Sequence, residues 1–361
     1  MGTLSQQQRF VLMLSSGKWP RYRDDIIRAL ALPIGGGLQF RYRKKHVPTD
    51  AFEAMSKNAF RGAEALVAYL DASNQQPPPQ IVPCRFARIL ETEVVGEFCV
   101  IRFEVSAFAS VTQDVDLRER VCKVLPQGTT LPVRRNGQLE GHFLLICENR
   151  PNECKGTREP QAWQEIVATL GDRQDFRTCP FFYYLRAVTE EGGRRELVVK
   201  EGKYVLRPGR MHRAEVVHYA PEKAEPETDG VLGALDVRVE GPGVQGVTSQ
   251  TFRIDSPYDV KEVHFRTVGE HQKQYGLLIF HRVVPSQGGN QESKHHDFEL
   301  VLEVKGLWAR QLVVGVLIAL FLAAPKFADL VGQGPWVTAL VSVLSAVVTA
   351  GLVVFGLRKV P

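Results

Sequence analysis

The chain has 361 residues, 44% of them hydrophobic and 24% charged, with a formal net charge of +5. Length and composition fit two or three globular domains and exclude a wholly disordered chain, a collagen-like repeat or a small disulfide scaffold. The charge is uneven: residues 1–62 carry eleven Lys/Arg against four Asp/Glu, 63–306 are net acidic, and 307–361 are net basic again. A surface for polyanions is therefore expected only in the N-terminal module.

Residues 1–31 read as helical, and Pro33 and Gly35-Gly36-Gly37 end that run. The apolar stretch 10–14 is too short for the core of a signal peptide. Residues 38–47 predict a strand with Phe40 and Tyr42 on one face and Arg41 and Arg43 on the other. Pro48-Thr49-Asp50 starts a helix. Its apolar positions keep helical spacing as far as Leu70, although 65–70 also suits a strand. After a proline-rich loop at 74–80, residues 81–90 and 98–108 form a hairpin, with Cys99, Ile101, Phe103 and Val105 on one face. Strands are expected at 130–134, 141–147, 181–189, 196–206 and 213–219, with one helix at 160–170. Residues 221–230 have linker composition. Beyond them, strands at 235–239, 251–254, 260–268, 275–284 and 298–304 have the rhythm of a small antiparallel sandwich.

The 22 residues from Trp336 to Leu357 contain no charge, enough to cross a ~30 Å hydrocarbon core as a helix. A second span is expected at 308–326, with Trp308 and Arg310 at one end and Lys326 at the other. The short Pro/Gly-bearing break between them makes the pair a hairpin. Lys305, Arg310, Arg358 and Lys359 flank it, whereas the loop has Lys326 offset by Asp329, so both termini are expected in the cytoplasm. Small residues recur every four positions, at Gly315, Ala319 and Ala323 on the first span and at Ser342, Ala346 and Ala350 on the second. That spacing lets helix backbones pack closely, within one hairpin or between copies. Neither span has an ionisable residue in its interior, which argues against an ion or proton path.

No motif for catalysis emerges. His212 and His218 share a strand face but lie about 20 Å apart, too far for one metal, and His295-His296-Asp297 falls in a Gly/Asn/Ser-rich turn. His142 and Cys147 would point to opposite faces of a strand. The six cysteines have no framework or zinc spacing and read as buried free thiols. Gly35-Gly36-Gly37 precedes a strand and lacks the Lys-Ser/Thr of a phosphate loop. It does lie between two Arg-Tyr-Arg triplets. Arg21, Arg23, Arg41, Arg43, Lys44 and Lys45 are the candidate ligand-binding residues, suited to a nucleotide, a nucleic acid strand or anionic lipid headgroups.

The expected architecture is a β-rich α+β cytoplasmic body, with modules at 1–135, 136–220 and 231–306, followed by a two-helix transmembrane hairpin at 307–361. The expected role is that of a non-catalytic sensing or interaction protein on the inner membrane, with no cofactor and no metal. One specific form is a bacterial stress or antiviral-defence effector whose hairpins cluster when ligand binds. The competing expectation is a membrane-anchored hydrolase with a site built from residues distant in sequence.

Overall fold

A computed structural model describes residues 10–16, 20–47, 49–71, 80–111, 142–147, 154–177, 179–193, 196–200, 202–221, 232–246, 249–268, 272–285 and 292–306. The expected strand at 130–134 and nearly all of the 221–230 linker lie outside them. So does the whole 307–361 hairpin, with both of its small-residue rows. Among the described residues no helix is long and apolar enough to cross a membrane.

The body is β-rich. Its first sheet contains β1 (Phe10–Ser16), β2 (Gly37–Arg43), β3 (Glu64–Asp71), β4 (Gln80–Val95), β5 (Phe98–Val111), β6 (His142–Cys147) and β7 (Cys154–Thr157). The order is β2-β5-β4-β3-β1-β6, with β7 paired to β5. β1 runs parallel to β3, Val11 opposite Ala65, and the other pairs are antiparallel. Residues 10–14, expected to be helical, therefore form a strand. Phe10, Val11, Leu12, Met13 and Leu14 are all buried, so both faces of β1 are covered. A strand covered on both sides reads as a continuous apolar run without period, which a short helix also does. Residues 65–70 resolve the same ambiguity as β3, again buried throughout.

Two further sheets follow. β8 (Phe182–Glu190), β11 (Met211–Tyr219), β13 (Val244–Gly246) and β15 (Tyr258–Thr267) make a four-stranded sheet in the order β13-β15-β11-β8. β9 (Val199–Lys200), β10 (Lys203–Leu206), β12 (Gly233–Glu240), β14 (Ser249–Ile254), β16 (Gln274–Pro285) and β17 (Glu292–Val304) make a six-stranded one, ordered β14-β12-β16-β17-β10-β9. β10 lies parallel to β17. Sheet membership crosses both residue 135 and residue 220, since β6 and β7 join the first sheet and β8 to β11 join the later two. Tyr183 of β8 stacks on Phe280 and Phe298 of the six-stranded sheet.

Helices α1 (Pro20–Ala31), α2 (Thr49–Ser56) and α3 (Pro160–Gly171) complete the body. Pro20 and Pro160 each sit in the first helical turn, where the missing N–H costs nothing. α1 packs on β1, β3 and β4 and also reaches β8 and β17, so it bridges the first sheet and the later ones. α3 lays Trp163, Ile166, Val167 and Leu170 against β4 and β5. The glycine run forms the turn from α1 to β2. Gly35 has φ +84°, and its N–H donates to the Val105 carbonyl at 2.7 Å. That N–H is thus committed to the fold and not offered to a phosphate.

Candidate functional site

The sequence-derived basic residues divide between elements. On α1, the exposed Arg21 covers the Tyr22 ring and donates to its hydroxyl at 2.8 Å. Arg23 is half-buried and donates to the Asp175 carbonyl at 3.3 Å. Arg41 and Arg43 project from the exposed face of β2, an edge strand, while Phe40 and Tyr42 are buried on the other. Lys44 and Lys45 follow in an exposed 3-10 turn, Lys44 lying over the Phe52 ring. The fold therefore gathers Arg41, Arg43, Lys44 and Lys45 at one sheet edge and leaves Arg21 and Arg23 on a helix. Acidic groups interleave on the same sheet: Arg102 pairs with Glu91 at 3.0 Å, and Arg88 with Glu104 at 2.6 Å. Arg41 shares a ladder row with Val100 and Glu93.

His212 and His218 both lie buried on β11, His212 stacked on Phe265. His295-His296-Asp297, expected in a solvated turn, belongs to β17, and Asp297 is buried. No group of three or more His, Cys, Asp or Glu among the described residues is placed to hold a metal. Cys84, Cys99 and Cys179 are buried thiols outside any disulfide, and burial pushes the Cys99 thiol up to about 11.

Among the described residues there is a concave site that spacing did not reveal. A cavity of about 290 Å³ opens where β4 and β5 of the first sheet meet β8 and β10, at the lower end of the ~300–1,000 Å³ usual for small-molecule clefts. Buried Pro33, Arg85, Phe108, Tyr184, Leu185 and Tyr204 form its inner wall. Exposed Arg158, Arg186, Glu196 and Val198 stand at its mouth.

Arg85 is the unusual member. It is 1% exposed, and its guanidinium carbon lies over Phe108, 3.7 Å from the ring centroid. Nη2 donates to the Leu32 carbonyl at 3.0 Å, while Nε and Nη1 have no acceptor. Burial pushes this guanidinium down to about 9, only partly offset by Tyr184, because no carboxylate among the described residues is paired with it. Buried arginines are normally paired, so an unmatched one marks a place for an anion. Burial also raises the phenols, Tyr184 to about 12 and Tyr204 further, so both remain neutral. The ionisable lining is thus three arginines, one glutamate and two neutral phenols, a set suited to holding a negative charge.

The one clue to this site in the sequence was a single charge inside the apolar stretch 81–87. Its partners come from residues 33, 108 and 184–204, and no local spacing connects them. Comparison with protein-family models and with curated proteins finds no match to this chain.

Proposed function

We propose that this chain is a membrane-tethered sensing protein with no catalytic site of its own, and that the Arg85 cavity receives a small anionic ligand. The observation that carries this reading is Arg85 itself: a fully buried guanidinium with Nε and Nη1 unpaired, lining a cavity whose mouth holds two more arginines. Binding an anion there would supply the missing counter-charge and convert an unfavourable burial into a charge-assisted hydrogen-bonded pair. In this reading residues 307–361 form the transmembrane hairpin, with spans at 308–326 and 336–357. The body then lies at the cytoplasmic face of the inner membrane, with both termini inside. Arg41, Arg43, Lys44 and Lys45 would face anionic headgroups or a nucleic acid, and hairpins of several copies would cluster when ligand binds, as in a stress or defence effector.

The test is a ligand screen on the full-length chain in detergent, with Trp19, Trp308 and Trp336 replaced by Phe so that emission reads Trp163, whose ring lies tilted 4.6 Å from that of the cavity residue Tyr184. Small anions should shift its emission and raise the melting temperature, and Arg85→Met should abolish both effects. Anion effects that persist unchanged in Arg85→Met would remove the cavity from the proposal.

A further inference from the structure

We infer that the anion taken by the cavity is a phosphomonoester of low molecular weight, its phosphoryl group on Arg85 and its organic part against Tyr184 and Tyr204. This rests on the reading of the cavity as the ligand site and adds the chemistry of the ligand.

Charge is the first argument. Arg85, Arg158 and Arg186 against Glu196 leave the lining at +2, and the two phenols do not change that sum at neutral pH because burial holds them protonated. A phosphomonoester carries −1.5 to −2 near pH 7 and balances this lining. A monocarboxylate or a phosphodiester balances only half of it. Donor geometry is the second. Arg85 has five N–H groups in a rigid plane. Its bond to the Leu32 carbonyl leaves Nε and Nη1 with three hydrogens between them and no acceptor. These two nitrogens are closed to solvent in the unliganded chain, so binding requires the wall over Arg85 to shift. A tetrahedral group with three terminal oxygens then accepts from several of these hydrogens at once, whereas a planar carboxylate offers two oxygens. The arginines at the mouth are exposed and contribute less per charge, mainly as attraction during entry.

The experiment is isothermal titration calorimetry of the full-length chain in detergent with phenyl phosphate, adenosine 5′-monophosphate, glucose 6-phosphate, inorganic phosphate, phenylacetate and adenosine. At least one phosphomonoester should bind more tightly than inorganic phosphate, with phenylacetate and adenosine weaker still. Which of the three binds best identifies the organic part as aryl, nucleoside or sugar. Affinity should rise between pH 5 and 7 as the second phosphate proton, with pKa near 6, is lost. Arg85→Met should weaken binding about 100-fold. Arg186→Gln, a change at the exposed mouth that leaves the fold intact, should weaken it several-fold and flatten its salt dependence. If phenylacetate or adenosine binds best, and Arg85→Met removes that binding, the phosphoryl assignment fails while the cavity survives as a ligand site. If no compound binds and Arg85→Met only stabilises the protein, Arg85 is structural and both readings fall.

Discussion

Arg282 on β16 and Asp297 on β17 form a buried bidentate pair, Nε to Oδ2 at 2.7 Å and Nη2 to Oδ1 at 3.0 Å. The guanidinium also donates to Asp24 of α1 at 3.0 Å and to Cys179 Sγ at 3.4 Å, and the Tyr183 hydroxyl donates to Asp297 at 2.8 Å. Burial opposes the charge on Arg282, but the Asp297 carboxylate more than compensates, so the arginine is held well above its ordinary value. The network ties the helix of the first sheet to strands that pair more than 250 residues later. It stands in contrast to Arg85, which has no acidic partner among the described residues.

Breaking this pair should be costly. Arg282→Met leaves Asp297 and Asp24 buried without their cation, and a severed buried ion pair typically loses about 3–5 kcal/mol. The double variant Arg282→Met/Asp297→Leu should recover part of that loss, because it removes the stranded carboxylate as well. Urea unfolding of the full-length chain in detergent measures both. A single variant within about 0.5 kcal/mol of wild type would show that the pair does not hold α1 in place.

Acid should weaken the fold through buried histidines. Burial lowers the pKa of His212, against the opposing pull of the Glu190 and Glu191 carboxylates. His218 is lowered by burial as well. The unfolded chain binds these protons through its ordinary value near 6.5, while the folded chain resists them to lower pH. Stability is therefore complete above about pH 6.5 and declines as pH falls toward the folded values, by up to about 1.4 kcal/mol per pH unit for each histidine. His212→Phe keeps a ring against Phe265 and should make the melting temperature fall less steeply between pH 6.5 and 5. An unchanged slope would mean that His212 does not carry the effect.

The strands with clean alternation were legible in the sequence. Residues 98–108 appear as β5 and helix 160–170 as α3, because each shows one face to the core and one to solvent, whereas 81–90 and 181–189 appear as β4 and β8 although 81–87 and 182–185 are buried on both faces. What failed was read from composition alone. Residues 10–14 look the same as a buried strand or a helix turn. Residues 292–297 look like a polar turn until Arg282 is seen opposite, where it takes Asp297 into the core. Arg85 was hidden for a related reason: a lone arginine in an apolar strand gains meaning only from what surrounds it, and those groups come from β5, from the end of α1 and from strands of the other two sheets.

The basic edge has a separate test. Replacing Arg41, Arg43, Lys44 and Lys45 with Gln removes four exposed charges without touching buried Phe40 or Tyr42. If this edge contacts phosphates, binding of vesicles rich in anionic lipid, or of single-stranded nucleic acid, should weaken and show a shallower salt dependence. Retention of wild-type binding would mark the edge as a solvated face.

The proposed hairpin can be judged by bulk introduced along its small-residue rows. Ala319→Leu, Ala346→Leu and Ala350→Leu keep both spans apolar, so insertion should survive. Each places a branched side chain where two backbones would otherwise approach closely, and van der Waals packing is what holds helices together in lipid. If the rows join copies, cross-linked oligomers in membranes should disappear in these variants, together with any growth defect that expression causes. Val343→Leu, which lies off both rows, should change neither. If the rows serve one hairpin only, oligomers will be lacking in wild type and variants alike, and the substitutions will lower thermal stability alone. The same proteins, carrying reporters at Pro361 and in the Gly332–Gly334 loop, should report opposite sides of the membrane. A terminus found outside would remove the hairpin, and with it the clustering mechanism, while leaving the Arg85 cavity to be tested separately.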